Sequence, residues 1–176
     1  MFSEDIKKGF PTLVNNPELV YLDSAASTQT HQSVLDRMNT YYTQQRCNVN
    51  RGDFKISQEV SADIEKSRKS FANLINAKPE NIMFTAGATE GLNIVADWCK
   101  DVPVVIITEA EHTANILPWI AQGRTVDNGR LIVLPVNDRG SLNYDECAKI
   151  FEKWPYALLS VTSHSNVTGI GLDIKK

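Results

Sequence analysis

Pro103-Val-Val-Ile-Ile-Thr108 is apolar without alternation and is bounded by Lys100-Asp101 before it and Glu109 after it. A strand with apolar side chains on both faces suits a sheet covered by helices on both sides, the usual setting of parallel strands. Working outward, comparable runs occur at residues 131–136 and 156–162, with shorter strand candidates at 20–23 and 81–85. Helical patterns lie between them: residues 32–45 with Val34, Leu35, Met38, Tyr41 and Tyr42 at helical spacing, and 57–75 with Val60, Ile64, Phe71, Leu74 and Ile75. Shorter helices are expected at 91–98 and 144–153, and at 114–121, where Pro118 limits the element. A further short helix is expected at the start, ending near Gly9 and Pro11. Alternating strands and helices define an α/β fold with a mostly parallel sheet and flanking helices.

The 176 residues suit one ordinary domain or part of a larger one, and 42% apolar with 22% charged residues is an average soluble composition. A net charge of −3 without a basic block disfavours nucleic acid as a partner, because phosphate binding needs clustered Lys and Arg. No apolar run is long enough to span a bilayer, and the first residues carry no signal-peptide core. A cytoplasmic protein without a membrane segment is the expectation. Cys47, Cys99 and Cys147 are widely spaced, in no metal-type pairing, and read as buried or half-buried thiols. No metal is expected.

Ligands of such sheets gather at the carboxyl ends of the strands. Three polar segments follow strand candidates. In Phe84-Thr-Ala-Gly-Ala-Thr-Glu-Gly91 a helix begins at Ala88 or Thr89, so its unpaired N–H groups and dipole suit a phosphate; an ordinary turn capped by Thr89 is the alternative. Glu109-Ala-Glu-His-Thr-Ala-Asn115 places two carboxylates and His112 where acid–base work or ring stacking is possible, or simply a surface loop. Thr162-Ser-His-Ser-Asn-Val-Thr-Gly169 offers short hydrogen-bonding side chains, among them Asn166, which a self-contained turn would equally use. Arg51, in Asn48-Val-Asn-Arg-Gly52, suits an anion or an exposed turn, and His31 is expected to be solvent-exposed. These residues alone indicate an α/β protein that binds a phosphorylated small molecule.

In order and together, Tyr21-Leu-Asp-Ser-Ala-Ala-Ser27, Asn48-Val-Asn-Arg-Gly52, Gly87-Ala-Thr-Glu-Gly-Leu-Asn93, Glu109-Ala-Glu-His-Thr-Ala-Asn-Ile-Leu-Pro-Trp119 and Ser165-Asn-Val-Thr-Gly169 resemble the cysteine desulfurase and selenocysteine lyase group of class V aminotransferases. These are fold-type-I enzymes dependent on pyridoxal 5′-phosphate (PLP). The resemblance implies a partial large, cofactor-binding domain over residues 21–176, preceded by an arm over 1–20. It places Ala88 and Thr89 at the PLP phosphate, His112 on the pyridine ring as stacking and proton-transfer residue, and Asn166 at the phenolic oxygen. Ala25, Ala26 and Arg51 fall to the substrate pocket. The implied reaction converts L-cysteine to L-alanine and leaves a persulfide on an enzyme cysteine. The family continues beyond Leu172-Asp-Ile-Lys-Lys176 with the Schiff-base Lys, the pyridine-nitrogen Asp, the persulfide Cys and the carboxylate-binding Arg, so none of those roles is given to a residue here. Two positions depart from close relatives: Asn50 stands where they carry His, and Ala88 where many carry Thr. The expectation is a desulfurase portion, inactive alone, acting as a homodimer or with a complementary carboxyl-terminal chain. A non-catalytic binding protein on the same scaffold, or another class V aminotransferase or lyase, remains open.

Overall fold

Helical spacing of apolar residues in the first half of the chain becomes helix where expected, with one irregularity. The computed structural model describes residues 4–173, and the chain separates into two compact units, 1–83 and 84–176. In the first unit lie α1 (Glu4–Lys7), α2 (Pro11–Asn15), α3 (Gln32–Thr40) and α4 (Lys55–Leu74). α2 was not anticipated; Pro11 opens it, where a missing N–H costs nothing. α3 runs on into a wider π-helical turn, Tyr41–Gln45, so the pattern expected over 32–45 stays helical but not uniformly α. His31 is exposed, as expected, and its Nδ1 caps α3 by accepting from the Ser33 N–H.

Two expected strands, 20–23 and 81–85, are not strands in the structure. A strand is defined by ladder partners, and the sheet β2-β1-β3 contains neither segment; the Ile82 carbonyl accepts from the Arg68 guanidinium. Residues 79–81 form a 3-10 turn instead. The Tyr21 hydroxyl donates to the Ser27 carbonyl, closing the small-residue turn that follows the first segment.

The second unit is built on β1 (Val105–Thr108), β2 (Leu131–Leu134) and β3 (Leu158–Leu159), all parallel, in the order β2-β1-β3. All four residues of β1 are buried, and they alternate between two cores because successive side chains leave opposite faces. Val105 and Ile107 join Ala96, Trp119 and Leu131; Ile106 joins Val104, Leu134 and Cys147. The first face is covered by α5 (Ala88–Trp98) and α6 (Leu117–Ala121), the second by α7 (Tyr144–Lys153). α6 is short for the expected reason: Pro118 sits in its first turn, and a separate 3-10 turn, Thr113–Asn115, precedes it. No helix among the described residues is long and apolar enough to cross a membrane.

At the amino-terminal edge of this sheet, Arg124 is fully buried. Its guanidinium donates to the carbonyls of Lys100 (3.0 Å), Cys99 (3.3 Å) and Pro103 (3.4 Å) and to Gln122 Oε1 (3.1 Å). A cation here meets the negative end of α5, where the Cys99 carbonyl also accepts the Val102 N–H (3.1 Å). Burial, with Arg130 adding to it, holds the guanidinium below its ordinary value. Arg124→Met keeps the volume but removes the guanidinium donors from Lys100, Pro103 and Gln122, while Cys99 keeps the Val102 N–H. We expect it to lower stability in urea titration by about 2–3 kcal/mol; a midpoint equal to that of the native chain would contradict this role.

Candidate functional site

Both loops that leave the carboxyl ends of β1 and β3 are tied to one carboxylate. Glu111, half-buried, accepts at Oε1 from the Thr108 hydroxyl (2.7 Å) and from the Thr162 backbone N–H (2.9 Å). Its Oε2 accepts from Asn115 Nδ2 (2.7 Å). Asn115, itself buried, donates from the same nitrogen to the Ser160 carbonyl (3.0 Å) and accepts at Oδ1 from the Ser160 hydroxyl (2.7 Å). These bonds explain why β3 stops at Leu159: past it the Thr162 N–H turns to Glu111 instead of extending the ladder.

Of the two readings of the carboxylates, acid–base work or part of a loop, the geometry favours the second for Glu111. Glu109 accepts the Val136 N–H (2.9 Å), and both oxygens of Glu111 are engaged. A carboxylate with donors on both oxygens, as at Glu111, holds the groups around it in place rather than shuttling protons. The sequence offered Glu111 for acid–base work or as part of a loop, and Asn115 only as a loop residue. Their i, i+4 spacing was visible, but the partners Ser160 and Thr162 are distant in sequence and come near only through parallel pairing.

His112 follows directly and is exposed. Its Nδ1 accepts from the Ala114 N–H (3.1 Å), capping the 3-10 turn. An acceptor at Nδ1 leaves the neutral ring's proton on Nε2, so the free edge presents a donor. α5 packs against this same turn. Because α5 leads back into β1, its amino terminus points to the carboxyl end of the sheet, the end that carries His112.

α5 begins at Ala88, with Gly87 as its N-cap and no side chain capping it. Thr89 is therefore the second helical residue and not the cap. Glu90 reaches back to the Ala86 N–H (2.5 Å). A Cβ built on Gly87 would meet nothing within 4 Å, so the approach to these N–H groups is open. Uncapped N–H groups at the positive end of an eleven-residue helix suit an anion.

Asn166 lies exposed in the turn after Ser165. Ser165 is buried and its hydroxyl oxygen accepts from the Val167 and Thr168 N–H groups, both at 3.3 Å. The Gly169 N–H closes the turn on the Ser165 carbonyl at 2.9 Å, at a positive φ of 69° that favours glycine. Among the described residues the Asn166 carboxamide has no hydrogen-bond partner, so it is available to a ligand. The structure thus brings the α5 amino terminus, His112 and the Asn166 loop to one end of one sheet.

Ala25, Ala26 and Arg51 belong to the first unit. Ala25 and Ala26 are exposed in the turn closed by the Ala26 and Ser27 N–H groups on the Asp23 carbonyl, each at 3.1 Å. Arg51 is exposed beside Asn50, whose φ of 59° is left-handed and whose N–H donates to Ser61 Oγ (3.0 Å). Ser57 Oγ in turn donates to the Asn48 carbonyl (2.8 Å), so α4 holds the loop that carries Arg51. Of the cysteines, Cys147 is buried, and burial pushes its thiol up, away from reactivity; Cys47 and Cys99 are half-buried.

A parallel α/β unit with an open helix terminus, an imidazole and an amide at the strands' carboxyl end has its polar groups where ligands of such sheets gather. Residues 20–176 match the family model described as Aminotransferase class-V, and the chain belongs to that family. It is similar to a cysteine desulfurase of Cronobacter sakazakii, 38% identical over 94% of this chain and 43% of that protein. It is 30% identical to a cysteine desulfurase SufS of Plasmodium falciparum, over 99% of this chain and 33% of the other. Among solved structures, the apo structure of a cysteine desulfurase from Thermococcus onnurineus NA1 superposes with a TM-score of 0.82 at 31% identity, covering 99% of this chain and 43% of that one. The chain therefore spans less than half the length of these relatives, and its fold is that of a partial fold-type-I large domain. The bond to Ala114 makes a direct prediction: long-range ¹⁵N–¹H correlation of the neutral ring will show His112 protonated at Nε2. A proton on Nδ1 would contradict the cap.

Proposed function

We propose that this chain supplies the phosphate- and ring-contacting portion of a PLP-dependent cysteine desulfurase. The donor set fits the cofactor. The backbone N–H groups of Ala88 and Thr89, with the Thr89 hydroxyl, take the phosphate dianion. His112 lies along a flat ring, and Asn166 donates to an oxygen that carries partial negative charge. The observation that carries the reading is the open amino terminus of α5 at the same sheet end as His112 and Asn166.

When bound, PLP serves as an electron sink for the substrate's α-carbon. The chain's own residues bind, orient and move a proton. His112, its Nδ1 held by Ala114, keeps a fixed ring orientation and offers Nε2 for transfer to and from the reacting amino acid. In the complete assembly the family resemblance gives Ala25, Ala26 and Arg51 to the L-cysteine pocket, with Arg51 as the anion-binding candidate. No lysine occurs in the segments 84–98, 109–116 or 162–169, and Cys147 is shielded. The family resemblance gives the Schiff-base lysine and the persulfide cysteine to further polypeptide, in a homodimer or with a complementary chain, in the cytoplasm. This portion by itself does not turn over.

The test is alanine release from L-cysteine by the complete assembly. Thr89→Ala is expected to weaken PLP retention about tenfold, the worth of one hydrogen bond to a charged group. His112→Ala is expected to lower kcat at least about 100-fold. Unchanged turnover in His112→Ala, with PLP retained, would overturn the assignment.

A further inference from the structure

We infer that Glu111 is a positioning residue that sets the spacing between His112 and Asn166, and so fits the site to a ring and not only to a phosphate. This rests on the cofactor reading above. Glu111 precedes His112 in the chain, and its carboxylate holds the Thr162 N–H, four residues before Asn166. The segment from Thr162 to Asn166 is stiff: the Thr162 hydroxyl donates to the His164 carbonyl (2.8 Å), the Ser165 N–H donates to the Ile170 carbonyl (3.0 Å), and the Ser165 hydroxyl takes the two N–H groups that follow Asn166. A shift at Thr162 therefore carries to Asn166.

The arrangement needs a carboxylate and not merely a side chain of that size. Asn115 Nδ2 donates to Glu111 and to the Ser160 carbonyl, while Asn115 Oδ1 accepts from the Ser160 hydroxyl. Ser160 thereby fixes which way the Asn115 amide faces. A glutamine at 111 has one oxygen, so either Asn115 Nδ2 would meet another N–H₂, or Thr108 and Thr162 would lose their acceptor. Among the described residues no lysine or arginine pairs with Glu111. Its charge is stabilised only by these three donors, which makes their geometry strict. The α5 amino terminus takes no part in these bonds.

That separation provides the test. The full chain is titrated with pyridoxamine 5′-phosphate, which needs no lysine, and separately with inorganic phosphate, both followed by amide shifts of Ala88 and Thr89. The native chain should bind the pyridoxamine compound at least about tenfold tighter than phosphate. Glu111→Gln should lose roughly tenfold in affinity for the pyridoxamine compound, the effect of one charge-assisted hydrogen bond, with phosphate affinity unchanged. Ser160→Ala, a milder lesion in the same network, should move in the same direction by a smaller factor; this keeps the proposal testable if Glu111→Gln does not fold. A general structural defect would weaken both ligands together, and that result would overturn the positioning role. Unaltered affinity for the pyridoxamine compound in both variants would overturn it while leaving the cofactor reading intact. Equal affinity of the native chain for both ligands would sink the ring-contact reading itself, and the positioning role with it.

Discussion

Strand β1 is paired in parallel on both edges and buried along its whole length, and the second unit is organised by that constraint. Alternate side chains of a strand in this position must feed two separate cores, so helices are required on both faces. Parallel pairing also sends every strand the same way, which collects the following loops at one end. There the chain must satisfy the backbone groups that the ladder no longer serves. Glu111 does this for the loop after β3, and Glu109 for the loop after β2.

The two ends of the sheet solve the same electrostatic problem with opposite charges. At one end the buried Arg124 faces carbonyls at the negative terminus of α5, and at the other Glu111 faces hydroxyl, amide and backbone donors. Among the described residues neither has a counter-ion, so each depends on dipoles whose directions the fold dictates. The two also bracket the helix that presents the proposed phosphate site: Arg124 anchors its carboxyl end, and the Glu111 turn packs against it. One imperfection remains in the core beside them, where the fully buried Trp119 indole N–H has no partner among the described residues.

The α/β alternation was legible because its signal is local. The apolar run at 103–108 and the helical spacing over 57–75 and 144–153 need no distant information, and α4, β1 and α7 fall there. Strands 20–23 and 81–85 were misread because a ladder needs a neighbour, and extended apolar sequence does not say whether one is present. The π-helical turn at Tyr41–Gln45 left no signal in a pattern that counts apolar positions every third or fourth residue. At the site, His112, Asn166 and the Ala88–Thr89 turn were visible as unusual polar residues at strand ends, and the family resemblance supplied their roles. The Glu111 network was not visible, because the bonds that tie it to Ser160 and Thr162 join residues 45 to 51 positions apart.

The central claim is that one end of this sheet receives a phosphorylated pyridine, with the helix terminus, the imidazole and the amide each taking a separate part of it. A crystal structure of the chain with pyridoxamine 5′-phosphate tests this most directly. The account predicts the phosphate within hydrogen-bonding distance of the Ala88 and Thr89 N–H groups, the pyridine ring stacked on His112, and Asn166 Nδ2 at the phenolic oxygen. A ligand bound elsewhere, or a phosphate at α5 with its ring turned away from His112 and Asn166, would contradict it.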